Sequence, residues 1–285
     1  MGNDLSYYMS AYMFDLEQIL NDKSNELNNI RFQFDEANTD EELKSFIKKV
    51  VLNECRIIKT IESVEICDRM INIDSSKFYI IDCLTPSEYD NESKESVKNN
   101  KPNSIYVKPD LILKINFEGR IVHESIELKS TKSDKIPGSS IQQISADEWV
   151  IFVKHSNSKI EVITGQYKNS INCKIPFPDR SPRPQISYNE LRKWTSTYRI
   201  SLAKTLTIKS DEDEQIRTGI LDDWQEILAT RWLEVIKGDA LIKKEPWFNN
   251  NLRKFVIDLL IYYDSLNEKE KQLFKNRIKK NIKGE

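Results

Sequence analysis

The run Ile105-Tyr-Val-Lys-Pro-Asp-Leu-Ile-Leu-Lys-Ile-Asn116, then Phe117-Glu-Gly-Arg120, then Ile121-Val-His-Glu-Ser-Ile-Glu-Leu-Lys-Ser130 decides the fold. Its outer pieces are rich in β-branched residues, and the piece between them carries a glycine. That pattern predicts a β-hairpin over 105–130. Lys77–Leu84, Trp149–Lys154 and Ile160–Thr164 are similar short apolar runs and predict further strands.

Helical spacing of apolar residues predicts a helix over 4–34 and a second one from Thr39 to about Ile71. Thr39 is the expected N-cap of the second, with Glu42 three residues on in a capping box. Residues 85–104, with Pro86 and Pro102, read as a loop. Ser139–Ser145 reads as a short helix, and 165–187, with four prolines, as a loop. Everything from Tyr188 reads as helical, with breaks near Ser210, Gly238 and Pro246. Helices, a compact β region, then helices again predict an α/β (α+β) chain: a central mixed β-sheet flanked by helices, with helical N- and C-terminal regions.

The chain has 285 residues, 39% hydrophobic and 31% charged, which allows a packed interior. Its 43 basic and 45 acidic residues leave a net charge of −2, which excludes coating of nucleic acid by bulk charge. Four cysteines, at 55, 67, 83 and 173, form no CxxC pair, and there are only two histidines. A zinc finger is therefore excluded, and free thiols in a reducing compartment are expected. No apolar run nears the roughly 18 residues of a membrane span. Met1 to Ser6 matches the short myristoylation pattern. The Lys-, Asn-, Ile- and Ser-rich composition points instead to an AT-rich bacterial genome, so a cytoplasmic bacterial protein without membrane contact is expected.

One constellation carries chemistry. Side chains alternate along a strand, so Glu127 and Lys129 share a face and Leu128 points into the core. The hairpin brings Asp110 beside that pair. Two carboxylates suit Mg²⁺, which takes oxygen ligands from one or two carboxylates and fills its remaining positions with water and phosphate. Lys129 could orient the attacking water, take its proton, or offset charge on a phosphate.

Pro109-Asp110 followed by Glu127-Leu128-Lys129 resembles the PD-(D/E)xK nuclease superfamily, and the run through Gln142-Gln143-Ile144 to the Trp149 strand resembles type II restriction endonucleases in particular. The resemblance is strongest over 105–154. It implies a restriction-endonuclease-like core, with Asp110 and Glu127 as metal ligands and Lys129 as the third catalytic residue. It also implies Mg²⁺ as cofactor (Mn²⁺ substituting) and double-stranded DNA as substrate, cut to 5′-phosphate and 3′-hydroxyl ends. A homodimer and a cognate DNA methyltransferase acting on the same site would follow. Many members add an acid from a helix before the sheet, for which Glu54 is the candidate. On this reading 1–75 is a helical region packed on the core, 76–187 the catalytic sheet with its DNA-contacting loop, and 188–285 a helical region, all in one compact domain. The rival readings are another nuclease on this core, for repair, junction or RNA work, and a non-catalytic DNA-binding protein.

Basic residues cluster where DNA contact would need them. Residues 154–199 hold nine basic and three acidic groups, a local charge of +6. Arg180 and Arg183 lie there in a proline-stiffened loop, suited to reading guanine edges or clamping phosphates. Lys132 and Lys135 follow Lys129 and could hold phosphates. Gln142 could contact adenine or phosphate, or support the Lys129 strand.

Overall fold

The computed structural model describes residues 3–30, 41–99, 109–139, 144–155, 159–172, 183–238 and 247–283. Thr39, residues 105–108, Gln142, Cys173 and Arg180 lie outside the described residues, as does most of the helix expected over Ser139–Ser145.

Helices α1 (Asn3–Asp22), α2 (Ser24–Leu27) and α3 (Glu41–Glu54) come first. Strands β1 (Ser63–Ile66), β2 (Arg69–Asn72) and β3 (Phe78–Leu84) precede α4 (Asn91–Asn99). Then follow β4 (Leu111–Phe117), β5 (Arg120–Thr131), β6 (Lys135–Pro137), β7 (Trp149–His155), β8 (Ile160–Gln166) and β9 (Gln185–Ser187). Next are α5 (Tyr188–Tyr198), β10 (Arg199–Leu202), β11 (Thr205–Ile208) and α6 (Glu214–Asp222). Helices α7 (Trp224–Lys237), α8 (Trp247–Ser265) and α9 (Glu268–Lys283) follow. The chain divides into two compact units, Met1–Trp224 and Gln225–Glu285.

In the first unit the central sheet is mixed, with order β3-β4-β5-β7-β8. All its pairs are antiparallel except β5 with β7. The predicted hairpin is there: β4 and β5 meet through Glu118 (φ 52°) and Gly119 (φ 79°), the left-handed pair that matches strand twist. One sheet face packs on α1 and α3, where Met13, Leu16, Ile47 and Val51 meet Leu113, Ile126 and Ile151. Each such fully buried side chain contributes about 1.5–3 kcal/mol over its exposed state. Glu17 fixes α1 to the sheet edge: it accepts from Thr164 N–H at 2.6 Å and pairs with Arg199 Nη2 at 2.6 Å. Helix α5 packs on β8, and Tyr188 at its start meets Phe152 edge to face.

Several expectations fail. The first helix breaks at Lys23 and gives way to turn after Leu27, short of residue 34, and the expected loop 165–187 ends in β9. The second helix ends at Glu54 rather than near Ile71, and β1 and β2 occupy its supposed last turns. Residues 91–99 are helical, not loop; only Ser93 and Val97 of α4 are buried, too few to show an apolar stripe. The region after Tyr188 is not all helix, because β10 and β11 form a hairpin and β11 pairs in parallel with β1. Both missed hairpins lack the usual turn signal. Their positive-φ residues are Cys67 and Asp68, and Ala203 and Lys204, with no glycine among them.

That absence predicts a stability gain. A left-handed residue with a Cβ is strained by about 1–2 kcal/mol. Asn-Gly at 203–204 should therefore stabilise the protein by about 1 kcal/mol, read as a higher urea midpoint at unchanged slope. A lower midpoint would show that this turn is not what limits the hairpin.

The second unit is helical. Tyr262 and Phe274 meet edge to face between α8 and α9. Phe255, 61% exposed, and Tyr262, 48% exposed, lie at its surface. Among the described residues, no helix is long and apolar enough to cross a membrane.

Candidate active site

The site grows out of strand register. Leu111 stands opposite Ile126 across the β4–β5 ladder, so the next step back places Asp110 opposite Glu127. Asp110 sits just before β4, where its Oδ2 accepts from Leu128 N–H at 2.8 Å. The carboxylate thus takes the ladder place a backbone carbonyl would hold. Ile126 and Leu128 join the core, which turns Glu127 and Lys129 to the opposite face. On the other side of β5, Glu127 is in register with Val150 and Lys129 with Phe152.

Lys129 Nζ lies 2.5 Å from Glu127 Oε1 and 2.9 Å from Ser139 Oγ. Ser139 Oγ also donates to Glu127 Oε1, closing a three-membered set. Tyr167 Oη accepts from Ser139 N–H at 2.9 Å and is itself fully buried. On the other carboxylate, Lys44 Nζ of α3 lies 3.1 Å from Asp110 Oδ1. Lys44 is 1% exposed, so this ammonium is delivered from inside the fold. Tyr89 Oη donates to Pro109 O at 2.6 Å and braces the segment leading to Asp110.

Electrostatics follow from this packing. Burial, and then the charge on Glu127, push the Asp110 carboxyl above its usual range; Lys129, Lys44 and the Leu128 N–H hold it partly down. For Lys129 burial opposes the charge, but Glu127, Tyr167 and Asp110 outweigh it, and the ammonium is held more firmly than in water. In this arrangement Lys129 keeps its proton. Of the roles open to it, charge stabilisation and proton donation fit better than acting as a base.

Glu54 does not join this group. It pairs with Lys23 Nζ at 2.9 Å and is 45% exposed. It lies ten residues beyond Lys44, about 15 Å further along the helix axis. The residue α3 sends to Asp110 is a lysine. Sequence reading missed Lys44, although it carried a signal: Lys44 falls on the same helical stripe as Ile47, Val51 and Cys55, all buried. Ser139 and Tyr167 were also missed and carried no signal, since both depend on how distant loops meet.

Helix α3 is anchored at this end by a second pair. Lys48 Nζ lies 2.5 Å from Glu88 Oε1, and Glu88 Oε2 accepts from Thr85 N–H at 2.8 Å. Lys48, and next the Thr85 N–H, pull the Glu88 carboxyl down to about 2. A depressed carboxyl stabilises the fold above its unfolded value and loses this as pH falls through its folded one. Glu88→Gln should thus cost about 1 kcal/mol at pH 7, since solvent screens a pair this exposed. The gap to wild type should close between about pH 4.5 and 2. A gap independent of pH would contradict the pairing.

The basic groups divide. Lys132 and Lys135 are exposed on the segment after β5. Asp134 ties that segment to α5, accepting from Asn189 N–H at 2.8 Å and from Ser187 Oγ at 3.1 Å. Strands β6 and β9 pair, and Pro184 O accepts from Gly138 N–H at 2.7 Å. Arg183 therefore adjoins the turn that carries Ser139. Its Nε is buried and has no acceptor among the described residues. Gly138 is required there, since a Cβ would run into Tyr167 Oη and lie 2.7 Å from Pro184 O.

No protein-family model and no curated protein matches the chain.

Among the described residues, no three acidic, histidine or cysteine side chains converge as a metal cage. What the site offers is two carboxylates on adjoining strands. Mg²⁺ fits such a donor set, because it is usually held by one or two carboxylates and otherwise by water and phosphate.

Proposed function

We propose that the chain is a Mg²⁺-dependent, sequence-specific endonuclease acting on double-stranded DNA, of the type II restriction kind. The observation that carries this reading is the placement of Asp110 opposite Glu127, with Lys129 on the face of Glu127. The resemblance of these residues to the PD-(D/E)xK pattern supports it. A cytoplasmic bacterial protein, a homodimer on a palindromic site and a partner methyltransferase belong to the same proposal.

Asp110 and Glu127 would hold Mg²⁺. When bound, the ion polarises a phosphoryl oxygen and acidifies its water. Hydrolysis joins the water oxygen to phosphorus and breaks the bond to the 3′ oxygen, which leaves as a hydroxyl after taking a proton. Lys129 supplies positive charge beside the scissile phosphate, and Ser139 fixes where its ammonium stands. Lys44 offsets the inner oxygen of Asp110. The ammoniums of Lys44 and Lys129 offset the two carboxylates in part, which lessens their repulsion of a phosphate. Lys132 and Lys135 would hold the backbone nearby, and Arg183, with Arg180, would read bases or clamp phosphates.

Metal replacement tests the reading. Mg²⁺ or Mn²⁺ should support cleavage, and Ca²⁺ should support binding without turnover, because it fits oxygen sites loosely and acidifies water less. Discrete fragments from a plasmid support the site-specific enzyme; nicks or smears favour another nuclease on this core. Full activity in excess chelator is incompatible with the proposal.

A further inference from the structure

The Gly138-Ser139 turn carries no charge, yet it bears on where the charge of Lys129 stands. Ser139 Oγ donates to Glu127 Oε1 and accepts from Lys129 Nζ at 2.9 Å. A single hydroxyl can do both, since it has one proton and two lone pairs. The stem of a lysine is flexible, so its ammonium needs a second partner to keep one position. We propose that Tyr167 is a positioning residue of the site: its hydroxyl fixes Ser139, and Ser139 fixes the Lys129 ammonium beside Glu127. What this does for catalysis rests on the nuclease reading; where it puts Lys129 does not.

Tyr167 is suited to the role because it is itself pinned. It opens the short 3-10 turn Tyr167–Ser170 after β8, and its side chain is fully buried. Its N–H donates to Glu148 O at 2.8 Å, and Lys168 N–H donates to Ala146 O at 3.0 Å. Ser170 Oγ donates to Tyr167 O at 2.7 Å. Burial raises the Tyr167 hydroxyl above its ordinary value, with Lys129 and Glu127 near enough to act on it, so it stays a neutral phenol. In that form its oxygen accepts from Ser139 N–H, at 2.9 Å.

The turn is also held from its other side. Gly138 N–H donates to Pro184 O at 2.7 Å. The two acceptors, Tyr167 Oη and Pro184 O, belong to one bonded frame, because Asn172 N–H donates to Gln185 O at 3.1 Å and Ile171 bridges Ile186. There is no slack in the fit: a Cβ at 138 would run into Tyr167 Oη. Removing that one oxygen leaves Ser139 N–H without its acceptor and frees the turn on the side that faces Lys129.

Tyr167→Phe keeps the ring and removes the oxygen, and it is read in two ways. The first needs no DNA: at neutral pH, in the metal-free full chain, the Lys129 side-chain NMR signal is assigned by its loss in Lys129→Met. That signal should move in Tyr167→Phe and in Ser139→Ala, and the double variant should move it no further than Ser139→Ala does. The second is single-turnover cleavage with Mg²⁺. Each single variant should lose about a hundredfold in rate, with DNA affinity in Ca²⁺ unchanged, and the double variant should be no slower than Ser139→Ala. A tyrosine that only packs would lower thermal stability and leave signal and rate as in wild type. The proposal is overturned if Tyr167→Phe keeps the wild-type signal or, in a chain that cuts DNA, the wild-type rate, or if the two losses add. Ser139→Ala with wild-type signal overturns it too, whether or not Tyr167→Phe folds. A chain that cuts no DNA with Mg²⁺ or Mn²⁺ ends the nuclease reading, and the Lys129 signal then decides the positioning by itself.

Discussion

Asp110→Asn and Glu127→Gln should abolish DNA cleavage, by at least about a thousandfold in single-turnover rate, while DNA binding should survive. A thousandfold corresponds to about 4 kcal/mol of barrier, within what a bound divalent ion supplies by stabilising transition-state charge. Binding should survive because removing a carboxylate also removes repulsion toward phosphate. Asn is preferred at 110 for a structural reason. Its amide oxygen can still accept from Leu128 N–H, which Asp110→Ala leaves without an acceptor; in both variants Lys44 loses this carboxylate and keeps Glu41 Oε1 at 3.4 Å. Leaving the Leu128 N–H unmet costs about 1–3 kcal/mol, so the alanine variant should lose more stability than the asparagine one. The comparison uses single-turnover cleavage, binding in Ca²⁺, and thermal unfolding of all three variants. Wild-type rates in Asp110→Asn or Glu127→Gln would remove both residues from the chemistry.

Lys129→Met should cut the single-turnover rate by orders of magnitude with little change in affinity. Methionine fills similar space but cannot bond Glu127 Oε1 or Ser139 Oγ as the ammonium does. A raised lysine pKa keeps its charge through neutral and mildly basic pH and loses it only as pH rises past the folded value. In the metal-free protein, NMR should therefore show no titration of Lys129 below about pH 10, whereas the rate profile belongs to the metal-loaded site. The acid side should report the Asp110–Glu127 pair, whose carboxylates must be ionised to hold a cation. Arg183→Ala, in contrast, should act on binding. It should cost about 1–3 kcal/mol and relax one position if the arginine reads a base. It should lower the salt slope by about one if it clamps phosphate. Loss of affinity without loss of rate in Lys129→Met would reverse this division.

The hairpin that organises the site was legible because its signals are local. Gly119 marks the turn, and Ile126 and Leu128 alternate with Glu127 and Lys129, so strand, face and register follow from a few adjacent residues. The small sheet of β1, β2, β10 and β11 was not legible. Its turns at Cys67-Asp68 and Ala203-Lys204 carry ordinary side chains, and the parallel pairing of β1 with β11 joins residues about 140 apart. The site splits in the same way. Asp110, Glu127 and Lys129 lie within one hairpin. Lys44, Ser139 and Tyr167 reach them only through packing of α3 and of the loops after β5 and β8. Glu54 carries its charge on α3, but that helix presents its other end to Asp110.

The most direct measurement is digestion of mixed-sequence double-stranded DNA with Mg²⁺ by wild type and by Asp110→Asn, with all new ends sequenced. The account predicts cuts at one short recurring sequence, 5′-phosphate ends that can be ligated, and no cuts by the variant. Cleavage that persists in Asp110→Asn, or no cleavage by wild type with either Mg²⁺ or Mn²⁺ on DNA lacking modified bases, would contradict it.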